Sequence, residues 1–276
     1  MPLGLPKPGV RLRGARGAGG GPTSPSLFEQ VLELSQGRPV FTADRYVPQA
    51  IEGGVSVRSF TDWNNSGHQL RQTSLGLQVP EPHASPVFGG GVAAEFTGAQ
   101  WYRSTQPASA WVFLSDGVSV ETWTVLARRS LVGLQTPWAT VVAGGFGGAL
   151  ISLQASTSWY YWARASDGGQ IVFNAYATPN LAIDEPAAIG ARAAQSAAPN
   201  WTLSTSGRPD ASGNYAAIPD AGAPEQTLVL GCQDPATLGS PTHMLWGAFA
   251  CFPALAPEQR AIVRAWIAQD FSVPAT

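Results

Sequence analysis

From residue 39 onward the chain is a succession of short apolar runs separated by turn residues. The runs are "GVSVRSF" (54–60), "VAAEFTG" (92–98), "VSVETWTVLAR" (118–128), "WATVVAG" (138–144), "ALISLQA" (149–155), "WYYWARA" (159–165), "QIVFNAY" (170–176), "NWTLST" (200–205), "QTLVLGC" (226–232) and "LWGAFACF" (245–252). Between them lie "SDG", "GGFGG", "SDGG" and "SGRPDASGN", rich in residues that close tight turns. This punctuation leaves little room for helix and predicts a sandwich or barrel of antiparallel strands. The 31 Gly and 23 Pro agree, since both interrupt helices. Hydrophobic residues at 44% against 12% charged give enough apolar material for one sizeable core.

Two segments break the pattern. In "SPSLFEQVLELSQG", Ser26 and Glu29 have capping-box spacing, Phe28, Val31 and Leu32 share a helical face, and Gly37 is a stop. A short connector helix is expected within 27–38. At the other end, "ALAPEQRAIVRAWIAQDF" (254–271) places Pro257 at a first helical position and Glu258 in the first turn. Ile262, Val263, Trp266 and Ile267 form one stripe that continues to Phe271, with Arg260 and Arg264 expected in water. This predicts a helix over about 257–271.

Charge is uneven. Residues 1–26 hold Lys7, Arg11, Arg13 and Arg16 and no acidic side chain, whereas the remainder holds 12 basic and 18 acidic ones. A basic Pro/Gly-rich arm on an acidic body reads as a docking arm rather than a nucleic-acid surface, because no aromatic residues interleave its charges. No run is long enough for a membrane span, and the N-terminus lacks the apolar stretch of a signal peptide. Synthesis in the cytoplasm is therefore expected. Cys232 and Cys251 are expected as buried thiols, with pairing as the alternative.

The C-terminal pattern of Leu255, Glu258, Trp266 and Phe271 resembles the close of laminin-G-like, concanavalin A-like jelly-roll domains. Ala256 stands where that family usually has a capping hydroxyl. "VSVRSFTDWNNSGHQL" is similar to the family's opening motif through Trp63, Ser66 and Gly67, with Asn65 where Asp is common. "AAEFTGAQWYRS", "AWVFLSDGVSVETWTVLAR" and "TLVLG" resemble its later strands, in the family's order. The resemblance covers about residues 40–272. It implies an all-β, two-sheet antiparallel jelly roll over 39–276, with a closing helix and an extended arm at 1–26. It does not imply one activity: members bind glycans or proteins, serve as structural modules or hydrolyse polysaccharide. Many occur in tailed-bacteriophage virions. The resulting expectation is a non-enzymatic virion subunit (head decoration, head fibre or tail-associated), oligomeric on the particle and docked on other virion proteins through its arm. The alternative is a carbohydrate-binding module for cell-surface glycan.

Candidate chemistry is sparse. A glycosidase needs two placed carboxylates, and the nearest candidate, Glu121 in "VSVETWTV", has no acidic partner at 119 or 123. His68, His83 and His243 are scattered without metal-ligand spacing, and "AGGFGGA" lacks the Lys and helix of a phosphate loop. No catalytic residue is assigned. Calcium, common in the resembled fold, would draw on Asp116, Asp167 or Asp210, although Asp-Gly between strands already suits a turn. The aromatic run Trp159, Tyr160, Tyr161 and Trp162 is the expected ligand-binding element, one alternate pair facing the core and the other a sugar or partner.

Overall fold

The computed structural model describes residues 25–274, apart from 53–54, 73–81, 99, 117, 132, 143–146, 155–158, 165–180, 195–197, 215–223 and 238. The arm residues Lys7, Arg11, Arg13 and Arg16, the 170–176 run and Asp167 therefore lie outside the described residues. Two helices flank the strands: α1 (Leu27–Ser35) and α2 (Pro257–Phe271). The strands, in chain order, are β1 (Val40–Thr42), β2 (Tyr46–Glu52), β3 (Val55–Thr61), β4 (Gln69–Gln72), β5 (His83–Ala84), β6 (Val92–Thr97), β7 (Tyr102–Ser104) and β8 (Ser119–Arg128). They continue as β9 (Gln135–Ala139), β10 (Gly148–Leu153), β11 (Trp159–Arg164), β12 (Ala187–Ala194), β13 (Trp201–Thr205), β14 (Ala211–Gly213), β15 (Val229–Leu230) and β16 (His243–Phe252).

These strands form two antiparallel sheets, so of the sandwich and the barrel that the punctuation allows the chain takes the sandwich, as the family resemblance implies. The first runs β14-β13-β12-β8-β16-β6-β5, with β1 also paired to β16; the second runs β11-β10-β9-β15-β7-β4-β3-β2. Their inner faces enclose Phe41, Phe60, Phe96, Trp138, Trp246 and Phe249, all fully buried. A second apolar layer lies outside the first sheet. There Trp123 and Val125 of β8, with Ala248 and Ala250 of β16, pack beneath Val31 of α1 and Val263, Trp266 and Phe271 of α2. The alternation of β8 explains this: with period two, its odd residues face the helices and its even ones the core.

α1, expected as a connector, is thus part of the packed layer over the first sheet. Its start is the reciprocal cap expected: Glu29 N–H donates to Ser26 Oγ at 3.2 Å and Ser26 N–H donates to Glu29 Oε2 at 2.8 Å. Ser26→Ala should cost about 1 kcal/mol, seen as a lower denaturant midpoint with unchanged slope. α2 starts without a capping hydroxyl, but Gln259 Oε1 accepts the Ala256 N–H at 2.9 Å and supplies half of the same device. Arg260 and Arg264 are not in water as expected. Both approach Asp210, at 3.7 and 2.9 Å, because α2 lies low enough on the first sheet for their guanidinium groups to reach the loop before β14.

Some strand bounds move. The 138–144 run begins earlier, as β9, and only Val229–Leu230 of the 226–232 run is a strand. The strand ends at Gly231, whose φ is +99° and where a Cβ would stand 2.6 Å from the Phe96 ring and 2.7 Å from Gln100 O. That contact gives the "TLVLG" glycine its physical reason.

Candidate functional site

The expected aromatic element splits as a strand must. Trp159 and Tyr161 are 2% and 3% exposed and lie in the inter-sheet core. The Trp159 indole N–H donates to Thr205 Oγ1 at 2.7 Å, and the Tyr161 hydroxyl donates to Leu114 O. With rings buried and polar tips satisfied, these two are corrected from ligand contacts to core residues. Tyr160 lies on the opposite face, half-buried against Ala139, Val141 and Leu150. Trp162 pairs with Leu150 in the β10–β11 register, and its side chain lies outside the described residues.

The other candidates also find structural roles. Asp116 Oδ1 accepts the Val118 N–H at 2.9 Å, a turn-closing bond, and burial raises its carboxyl above the ordinary value. Asp210, offered above as a calcium ligand, is instead neutralised by Arg264 and Arg260. Among the described residues no group of three His, Cys, Asp or Glu comes together in metal-binding fashion. Glu121 is 1% exposed between β8 and α2; it accepts from the Trp123 indole N–H at 2.8 Å and from Leu255 N–H at 3.2 Å. Desolvation pushes its carboxyl up to about 7. Cys232 and Cys251 are free and buried, and burial raises both thiols.

The chemistry gathers instead at the edge of the helical layer. A cleft of about 390 Å³ is lined by Phe28 of α1, Thr42 of β1, Asp44, Trp63, Gly90, Gly91, Val92 of β6, and Asp270 and Phe271 of α2. Its size falls in the lower part of the range of about 300–1,000 Å³ usual for small-molecule sites. Trp63 is its fixed wall. Asp62 Oδ1 accepts the Val40 N–H at 2.7 Å, and Asn64 Nδ2 donates to Ser35 Oγ at 2.8 Å. These bonds stitch the turn carrying Trp63 to α1 and β1. The indole N–H then donates to Thr42 Oγ1 at 2.6 Å, and the Arg45 guanidinium stacks over the ring at 4.1 Å. Phe28 meets Trp63 edge-on at 4.8 Å and Trp266 at 5.6 Å, so α1 and α2 share one aromatic joint.

Two carboxylates open onto this cleft. Asp44 is exposed on the 3-10 turn Ala43–Arg45. Asp270, half-buried near the end of α2, accepts the Trp266 indole N–H through Oδ2. Gly90 and Gly91 line the cleft as backbone, and Gly91 tolerates no Cβ because Asp270 O would lie 2.8 Å from it. Aromatic rings beside hydrogen-bond acceptors suit a ligand with an apolar face and polar substituents. The sequence reading missed this site. Trp63 reads there only as part of a fold motif, and the lining residues are spread from 28 to 271.

No family model and no curated protein matches the sequence. Solved structures do. The chain is similar to the CBM40 domain of the Ruminococcus gnavus IT-sialidase, a structure bound to alpha2,3 sialyllactose, with a TM-score of 0.46, 12% identity, and coverage of 65% of this chain and 92% of that one. It is similar to a mutant Trypanosoma rangeli sialidase displaying trans-sialidase activity, with a TM-score of 0.48, 10% identity and 82% of this chain covered. It is also similar to a mutant NanB sialidase from Streptococcus pneumoniae, with a TM-score of 0.47, 13% identity, and coverage of 62% of this chain and 27% of that one. The chain spans about a third of the trypanosomal sialidase, at 33% of its length. Sialidases, which are enzymes, are among the matched structures, and the expectation of a non-enzymatic chain is withdrawn.

Proposed function

We propose that the chain is a carbohydrate-binding β-sandwich domain whose glycan site is the cleft between α1, α2 and the Trp63 turn. The observation that carries this reading is the pairing of the Phe28 and Trp63 rings with the Asp44 and Asp270 carboxylates and the Thr42 hydroxyl in one cleft of about 390 Å³. A pyranose has an apolar face of C–H groups and a rim of hydroxyls. The rings offer a surface for the first and the carboxylates accept hydrogen bonds from the second. Trp63 is also held before any ligand arrives, by the Thr42 bond and the Arg45 stack, which lowers the entropy lost on binding.

A glycan array probed with the full chain tests the reading, with sugar release assayed on every glycan that binds. Retention of at least one glycan class is expected. Asp44→Asn, at an exposed position, should weaken it about fivefold or more, as expected for loss of a charged hydrogen-bond partner. Trp63→Ala should weaken it further. Retention of no glycan, or affinity unchanged in both variants, would overturn the assignment.

A further inference from the structure

We infer that the outer face of the first sheet, beside the first half of α2, carries an anion site where Arg192, Arg260 and Arg264 hold the oxyanion of a sulfate or phosphate ester. None of the three lines the cleft, and the inference does not depend on the glycan reading. Arg192 comes from β12, and Arg260 and Arg264 from successive turns of α2. Strand register places them on one face. β12 pairs with β8 as Gly190↔Trp123 and Arg192↔Glu121, and with β13 as Gly190↔Ser204 and Arg192↔Thr202. A Cβ at Gly190 would stand 2.9 Å from the Trp123 ring, so position 190 faces the helices. Arg192, two residues on, is on the same face. Arg264 reaches this face from above: its Nη2 donates to Ser204 Oγ at 3.1 Å, and its guanidinium lies 5.6 Å from the centre of the Trp123 ring. Arg260 and Arg192 both lie close enough to the Glu121 carboxyl to favour its charged form.

These three charges are under-compensated. Among the described residues the carboxylate paired with them is Asp210, which accepts from Arg264 at 2.9 Å and stands 3.7 Å from Arg260. Arg192 has no hydrogen bond and no ion pair among the described residues. Glu121 does not supply the missing charge: its oxygens are taken by the Trp123 and Leu255 N–H groups, and burial pushes its carboxyl up to about 7. A second, independent observation is of hydrogen bonds left unmade. The Nε–H groups of Arg192, Arg260 and Arg264 are all buried without an acceptor. Under-bonded guanidinium groups, and like charges at i and i+4 of a helix, carry a cost that a bound anion offsets. All three side chains remain partly exposed, so an anion can arrive from solvent. The cations come from two sides, one from a strand and two from a helix. A carboxylate presents two oxygens in one plane. A sulfate or phosphate ester presents three, spread in space as these guanidinium groups are.

The test uses the full chain and three probes, glucose 6-sulfate, glucose 6-phosphate and glucose, titrated calorimetrically at pH 7.5 in low salt. The esters should bind about tenfold or more tightly than glucose, and the advantage should shrink in high salt. The tighter ester names the source of the oxyanion, and equal affinities mean that the site reads the oxyanion alone. Arg192→Gln and Arg260→Gln should each cut ester affinity about fivefold or more and leave glucose unaffected. Arg192 gives up no bond within the described protein, so that variant should keep the wild-type thermal midpoint. Arg103→Gln, at an exposed position on β7 of the second sheet, should leave ester affinity unchanged. Three results would overturn the inference: esters held no more tightly than glucose, ester affinity that survives both Arg192→Gln and Arg260→Gln, or an equal loss in Arg103→Gln, which would make the attraction one of surface charge in general. None of these touches the glycan reading, which the array judges by itself.

Discussion

Trp266→Ala should destabilise the protein by about 3–5 kcal/mol, the usual cost of truncating a fully buried Trp. Trp266 is 1% exposed and occupies the centre of the layer outside the first sheet. Its ring touches Phe28 of α1 at 5.6 Å and Phe271 at 5.9 Å, and its N–H is committed to Asp270. Removing it takes away the joint between the two helices as well as apolar area. The effect should therefore be uneven. Amide exchange should quicken in α1 and at the end of α2, while β8 and β16, buried between the layers, keep their protection. Trp266→Phe separates the two contributions: it keeps most of the packing but removes the indole N–H bond to Asp270, which should cost about 1–3 kcal/mol and weaken ligand binding at the cleft. Uniform loss of protection across both sheets, or a cost below about 1 kcal/mol for the alanine variant, would contradict this role for the helical layer.

Stability should fall as pH rises toward and past neutrality through Glu121, and Glu121→Gln should remove that dependence. The cause is desolvation: the carboxyl is buried between β8 and α2, and its two accepted hydrogen bonds and the more distant charges of Arg260 and Arg192 only partly offset it. Its folded value of about 7 stands above the ordinary 4.5, so the folded state holds the proton more tightly than the unfolded one. The protonated form thus contributes stability fully present below about 4.5 and lost as pH rises through about 7, amounting to about 3 kcal/mol. The Gln variant carries no such term, but its amide group can accept only one of the two bonds from Trp123 and Leu255, a loss of about 1 kcal/mol. It should be the less stable protein at pH 4.5 and the more stable one at pH 8.5. Urea titrations of both proteins across this range check the crossing, and parallel profiles would show that Glu121 does not titrate with folding.

The strands that sequence alone reveals are those with strong apolar alternation, such as β8, β10 and β16. β12, "AAIGARAA", was not expected, because alanine and glycine carry little strand signal. Its small residues have a tertiary reason. Gly190 lies under the Trp123 ring, where a Cβ would come within 2.9 Å, so bulk on β8 is matched by its absence on β12. The reverse holds for Trp159 and Tyr161. Their aromatic character was plain in the sequence, but only the pairing of β11 with β10 shows that they point into the core.

The order of apolar runs, turn residues and one striped C-terminal segment determined by itself that this chain forms an antiparallel sandwich or barrel with a closing helix; the two-sheet form was what the family resemblance implied. Those signals are local, set by the period of a strand or helix and by the turns that backbone sterics allow. The cleft was decided only by tertiary structure. Phe28, Asp44, Trp63 and Asp270 each read in sequence as a helix face, a turn, a fold motif or a helix end. They become one site because α1 and α2 must cover the same apolar face of the first sheet, and that shared burial brings residues 28 and 270 to the lining of one cleft with Trp63.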